Sequence, residues 1–260
     1  TQAGMMGGAL QIPAHAFGKM TLFMCAGAIY VATGKKAIVL RNGFFSYRWT
    51  QIIEACGIPC EHLVLNAQPI NPGAPTNELQ YAPHPIEDVV ETIKREKPGV
   101  VFAPHVETSV GMILPDEYIK QMSDAVHSVG GLMVLDCIAS GTIWVDMEAL
   151  GVDVLLSAPQ KGWSSSPCAA LVMMSSRALA RVEETTSSSF ACDLKKWLQI
   201  MQAYKNGGHA YHATMPTDAL AAFSQGMRET EEFGLDAAKA AQQELGTRVR
   251  GLLANHQFSS

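Results

Sequence analysis

Two residues that close apolar runs could do chemistry together. Lys161 stands in Ser157-Ala-Pro-Gln-Lys-Gly-Trp163, just past the run Val154-Leu-Leu156. Pro159 and Gly162 favour a turn and Trp163 offers an apolar wall. The amine is therefore expected to be partly desolvated and ready to attack a carbonyl. The plainer reading is a surface lysine in a loop. Asp136 closes a second apolar run, Leu132-Met-Val-Leu135, and taken alone it reads as a helix cap or turn residue. Together they change meaning. An amine that forms a Schiff base and a carboxylate that keeps a pyridine ring protonated are what pyridoxal phosphate requires. His105, Glu107, Thr108, Ser157 and Gln160 stand at the ends of other apolar runs.

Positioning such residues is the work of the elements between them. Ala37-Ile-Val-Leu40 reads as a strand, followed by Asn42-Gly43 and a helix from near Tyr47. A strand over His62 to Leu65 leads into a polar loop from Asn66 to Pro83. Pro85 then opens a helix whose Ile86, Val89, Val90 and Ile93 share one face. Pro98-Gly99 stops it before the strand Val100-Val-Phe-Ala103. Pro115 opens the next helix, with Asp116 and Glu117 in its first turn, where the helix dipole favours acids. Its buried face is Ile119, Met122, Val126 and Val129, and Gly130-Gly131 ends it. Strands follow at Leu132 to Leu135, Val154 to Leu156 and Ala169 to Met174. Two long helices, Ala219 to Phe233 and Ala237 to Leu253, come last. This alternation predicts an α/β fold, a mostly parallel sheet sandwiched by helices. Such sheets bind ligands at the carboxyl ends of their strands.

Composition removes several function classes. The 260 residues are 48% hydrophobic and 17% charged, an ordinary globular balance. Nineteen basic against twenty-four acidic side chains give a net charge of −5. The chain lacks the cationic stripe a nucleic-acid binder needs, so no nucleic acid is expected as a partner. The six cysteines form no Cys-x-x-Cys pair, and the reading is reduced, mostly buried thiols. The uncharged run Met20 to Gly34 is shorter than the roughly 20 residues of a spanning helix. No membrane partner and a cytoplasmic location, with an organelle as the alternative, follow as expectations. His209 and His212 are spaced i, i+3 without a carboxylate or cysteine companion, so no metal is expected.

Five segments in order resemble the class V, fold type I pyridoxal-phosphate aminotransferases, nearest the alanine–glyoxylate and serine–glyoxylate branch. They are Asn42-Gly-Phe-Phe-Ser-Tyr-Arg48, His105-Val-Glu-Thr-Ser-Val-Gly111, Asp136-Cys-Ile-Ala-Ser140, Ser157-Ala-Pro-Gln-Lys161 and Tyr211-His-Ala-Thr-Met-Pro216. The resemblance implies a cofactor, pyridoxal 5'-phosphate, carried covalently by Lys161, the catalytic residue that also moves the α-proton. It implies that Asp136 holds the pyridinium nitrogen, Phe45 stacks on the ring and Thr108 bonds near the ring oxygen. Gln160 would reach the phosphate. Tyr211 and Thr214 would contact the phosphate of a neighbouring subunit's cofactor, which implies a homodimer with shared sites. Plainer roles exist for each: a core aromatic, a strand-end hydroxyl, a solvated amide, a helix start. His105 reads equally as a substrate contact or a satisfied histidine.

The resemblance also implies a domain layout. Residues 1 to 34 form an atypical N-terminal segment without the family's glycine- and serine-rich phosphate turn, Ala26-Gly-Ala28 being a poor substitute. Residues 35 to 217 form the cofactor-binding large domain, and residues 218 to 260 connecting helices toward a small C-terminal domain expected to be missing. The implied activity is transfer of an amino group from a small amino acid, alanine or serine, to glyoxylate or another 2-oxo acid. Two alternatives remain at this point. One is a non-catalytic chain acting as a dimer partner. The other is a desulfurase or lyase, for which Cys168 and Cys192 are the available thiols.

Overall fold

Short runs of apolar residues, each five or fewer in length, build the centre of the molecule. A computed structural model describes residues 36–256 except residue 188; the expected N-terminal segment, with Ala26-Gly-Ala28, lies outside the described residues. Strand β1 (Ala37–Arg41) leads to helix α1 (Tyr47–Ala55) and β2 (His62–Asn66). The polar loop that follows holds a small ribbon of β3 (Gln68–Pro69) and β4 (Tyr81–Ala82). Helix α2 (Ile86–Glu96) precedes β5 (Val100–Pro104), and a second ribbon, β6 (Val106–Glu107) with β7 (Met112–Ile113), precedes α3 (Asp116–Ser128). Then come β8 (Leu132–Asp136), β9 (Val154–Ser157), β10 (Leu171–Met174), α4 (Ser176–Glu183) and α5 (Leu194–Lys205). Helices α6 (Thr217–Phe233) and α7 (Leu235–Asn255) close the chain.

Six strands make one sheet in the order β10-β9-β8-β5-β1-β2. All neighbours are parallel except β9 and β10. The reversal has a local cause. Residues 158–170 form turns with no crossover helix, and a parallel return needs such a crossover.

Alternate residues of each strand enter opposite cores, because strand side chains alternate in direction. Val39, Phe102, Val134 and Leu156 face one core, where Trp49 of α1 stacks on Phe102 at 4.2 Å between ring centres. Ile38, Leu40, Val101, Met133 and Leu135 face the other. There Val89 and Ile93 of α2, with Ile119, Met122 and Val126 of α3, lie fully buried, as their helical spacing predicts. Burial on both faces explains why the strands read as unbroken apolar runs.

Helices α4 and α5 are absent from the sequence reading. Their start signals are nonetheless ordinary: Ser175 accepts a hydrogen bond from the Ala178 amide at 3.2 Å, and Asp193 from Lys196 at 3.1 Å.

The order of strands fixes where a ligand can sit. The chain runs from β1 to the edge strand β2, then crosses to β5 on the other side of β1. Connections leave β1 and β5 in opposite directions, so a crevice opens at their carboxyl ends.

Candidate active site

A pocket lies at that crevice. Phe45 and Arg48 reach it from beyond β1, Thr108 from beyond β5, Asp136 from the end of β8 and Lys161 from beyond β9. Four of the residues singled out in the sequence therefore line one cavity, although 116 positions separate the first from the last.

Asp136 and Lys161 are held by local devices. Asp136 is half-buried; its carboxylate accepts a hydrogen bond from the Ile138 amide at 2.9 Å, and its carbonyl accepts one from His105 N–H at 2.9 Å. Lys161 sits in a turn closed by Ser165 N–H donating to the Pro159 carbonyl at 3.0 Å and Ser164 N–H to the Lys161 carbonyl at 3.1 Å. Gly162 is required there: a Cβ at that position would overlap the Gly141 carbonyl oxygen.

The expected desolvation of Lys161 by Trp163 is corrected. Lys161 is exposed. Trp163 packs instead on Trp144 at 4.8 Å and on Phe223 of α6 at 6.0 Å. Two aromatic rings offer the indole more apolar surface than a lysine stem could.

Phe45 owes its place to Glu107, whose role the sequence reading passed over. The Glu107 carboxylate is completely buried. It accepts hydrogen bonds from the Phe45 and Ser46 amides at 3.2 and 3.1 Å, and from the Ser46 and Ser109 hydroxyls at 3.0 and 2.8 Å. A buried carboxylate needs this many donors to offset its lost hydration. The result ties the turn after β1 to the loop after β5. Gly43 completes the fit, since a Cβ there would collide with Ser109 and Glu107. The available signal was an acid next to an apolar run, followed by hydroxyl residues.

His105 resolves to the plainer of its two readings. It is buried, does not line the pocket, and its Nδ1 lies 2.7 Å from the Ser140 hydroxyl. Burial pushes its pKa down to about 4, with Asp116 opposing and Lys239 reinforcing the shift. His212 is likewise occupied, its Nε2 2.9 Å from the Phe190 carbonyl. Among the described residues no group of His, Cys, Asp and Glu could hold a metal ion.

The model of the family described as aminotransferase class-V matches residues 26–259. The chain belongs to the class V aminotransferase family. A 2-aminoethylphosphonate–pyruvate transaminase of Vibrio parahaemolyticus is 30% identical over 78% of this chain and 51% of its own length. A protein named soluble hydrogenase, small subunit, of a Synechococcus strain is 28% identical over 88% of the chain and 56% of its own length. The solved alanine–glyoxylate aminotransferase of a Nostoc species superposes with a TM-score of 0.71 at 20% identity, over 89% of this chain and 58% of that one. The fold is thus that of the fold type I aminotransferases. This class V chain spans about half the length of the curated relatives it matches.

Three residues that the class V resemblance implicates stand outside the pocket. Gln160 precedes Lys161 but does not line the cavity; its Oε1 is buried and accepts no hydrogen bond. Tyr211 and Thr214 are exposed and lie 3.3 Å apart, hydroxyl to hydroxyl. No described cysteine lines the pocket of this class V chain either. Cys192 is buried, and Cys168 is half-buried with its thiol pKa pushed up by burial. Among the described residues, no helix is long and apolar enough to cross a membrane.

Proposed function

We propose that the chain carries the cofactor-binding part of a pyridoxal-phosphate transaminase that takes an amino group from alanine or serine and passes it to glyoxylate or another 2-oxo acid. The observation that carries this reading is the convergence of Lys161, Asp136, Phe45 and Thr108 on one pocket at the switch point of the sheet. An amine, a carboxylate, an aromatic ring and a hydroxyl are the donor set that a phosphorylated pyridine aldehyde fits. The alanine–glyoxylate and aspartate–glyoxylate aminotransferases among the relatives support the choice of acceptor.

When bound, pyridoxal phosphate supplies an electron sink for the substrate α-carbon. Lys161 would attach the cofactor through its Nζ and then hold and return the α-proton. Its exposure leaves the amine accessible to an incoming aldehyde. Asp136 would keep the ring nitrogen protonated. The hydrogen bond from Ile138 fixes one carboxylate oxygen and leaves the group's direction set. Phe45 would cover one ring face, held by the Glu107 staple, and Thr108 and Gln160 would bond the ring oxygen and the phosphate.

The domain layout belongs to this reading: residues 35 to 217 as the large domain, with the last two helices leading toward a small domain. So does a homodimer with shared sites. The exposure of Tyr211 and Thr214, and their absence from their own pocket, support contact with a neighbouring subunit's phosphate.

The test is a visible absorbance spectrum of the purified chain with added pyridoxal phosphate, before and after borohydride. A reducible band that Lys161→Ala lacks is the expected result. No band in the unaltered chain would overturn the reading and leave a non-catalytic dimer partner as the function.

A further inference from the structure

The last helix described grips the loop that follows Asp136, and that loop in turn lies against the loop that carries Lys161. Gln242 of α7 is the centre of the contact. Its Oε1 accepts from the Thr142 amide at 2.6 Å and from the Thr142 hydroxyl at 2.8 Å, and its Nε2 donates to the Ser140 carbonyl at 3.3 Å. These partners belong to the loop that follows Asp136. Around them, the Thr142 hydroxyl also bonds the Ala238 carbonyl at 2.9 Å, Lys239 donates to the Trp144 carbonyl at 3.0 Å, and the Trp144 indole donates to the Leu235 carbonyl at 3.0 Å.

Between Ser140 and Thr142 stands Gly141, at a φ of +63° that favours glycine. A Cβ on Gly141 would run into the Gln242 amide, and a Cβ on Gly162 would run into the Gly141 carbonyl. Three layers therefore stack without space between them: the Gln242 amide, the Gly141 backbone and the Gly162 backbone. Lys161 is the next residue. Trp163, next after Gly162, packs on Trp144 with the rings tilted by 40°, so the two loops are joined again beyond the glycine contact.

We infer that Gln242 is a positioning residue for Lys161, acting through the backbone contact of Gly141 with Gly162. The inference rests on the proposed role of Lys161 for its functional meaning, but not for its geometry. A side chain about 80 residues downstream sets the distance between the loop after β8 and the loop after β9, and so the separation of the carboxylate and the amine. The amide suits this task because it offers an acceptor to Thr142 and a donor to Ser140 from one planar group.

Hydrogen–deuterium exchange on the full chain without cofactor tests this, comparing Gln242→Leu and Gln242→Glu with the unaltered protein. Loss of the amide is expected to speed exchange about tenfold over residues 138–144, and also over 158–165, with the strands of the sheet unchanged. Gln242→Glu retains the acceptor for Thr142 and should fall between. A faster Thr142 amide with an unchanged 158–165 segment would overturn the coupling, because Gln242 would then brace only its own loop. Faster exchange across the whole sheet would overturn it too, reducing Gln242 to general stability. With pyridoxal phosphate added, Gln242→Leu should form the borohydride-reducible band about tenfold more slowly. If the unaltered protein forms no band, the functional reading fails while the exchange result still decides the coupling.

Discussion

The two ends of the sheet solve the same problem, a buried carboxylate, in opposite ways. At the amino ends, Asp153 is 1% exposed and is surrounded by charge and ring nitrogen. His127 Nε2 lies 2.7 Å from one oxygen, which also accepts from the Met133 amide at 2.9 Å. The Ser175 hydroxyl at 2.8 Å and Arg177 Nε at 3.4 Å take the other. Its partners come from α3, β8, the start of α4 and Ser175 just before it, so one side chain closes that end. At the carboxyl ends, Glu107 is equally buried but takes only amides and hydroxyls, and it ties two loops rather than elements of the frame. Lys161 and Thr108, close by, stay exposed. One end spends its polar groups on holding the sheet; the other keeps them open to a ligand and uses a few buried ones to aim them.

Substitutions at each end can break or sharpen that contrast. Asp153→Ala should have the largest effect, a stability loss of about 3 kcal/mol or more and about 10 °C in Tm, because it strands several buried donors. A thermal melt within about 1 °C of the unaltered protein would show that the amino end is not closed by this residue.

His105 follows. Its folded pKa near 4 lies below its ordinary value of 6.5. The unfolded chain therefore binds the proton first, and stability is lost as pH falls from 6.5 toward 4, by about 3 kcal/mol in all. Denaturant midpoints measured across that range should fall less steeply in His105→Gln. Parallel profiles for the two proteins would contradict the buried neutral imidazole.

Asp136→Asn should reverse the pattern seen at Asp153. The amide oxygen can still accept from Ile138, so Tm should hold, while the proposed transamination should drop about 100-fold as the charge is lost. A lower Tm with normal turnover would assign Asp136 to the frame. Glu107→Gln should have the smallest effect: one donor among Phe45, Ser46 and Ser109 is left facing an NH₂. Cofactor affinity read by titration should weaken about tenfold. Unchanged affinity would mean that the Phe45 turn holds without its staple.

Much of the frame was legible because one-dimensional spacing records it. The buried faces of α2 and α3 follow the helical period, and β1, β5 and β8 read as unbroken apolar runs because both of their faces are covered. Strand direction was not legible at β10, whose apolar run looks like its parallel neighbours; only the missing crossover helix turns it around. Helices α4 and α5 went unread, since short amphipathic segments resemble loops unless their caps are given weight. The pocket residues Lys161, Asp136, Phe45 and Thr108 were visible as residue types at strand ends. Trp163 misled, because an aromatic neighbour in sequence shares a turn with the lysine but packs wherever apolar surface is available, here against Trp144 and Phe223.

Sequence by itself determined the layered α/β plan and the placing of an amine, Lys161, and a carboxylate, Asp136, at or just beyond strand ends, because these depend on period, turn residues and side-chain type. Tertiary structure alone decided which strand ends meet, since that follows from the crossover from β2 to β5, which puts β5 on the other side of β1. It also decided how the loops are held. The Glu107 staple joins residues about 60 positions apart, and the Gln242 grip joins residues about 100 apart. Contacts over such separations leave no local pattern in the chain, and they form only when the folded sheet brings the loops together.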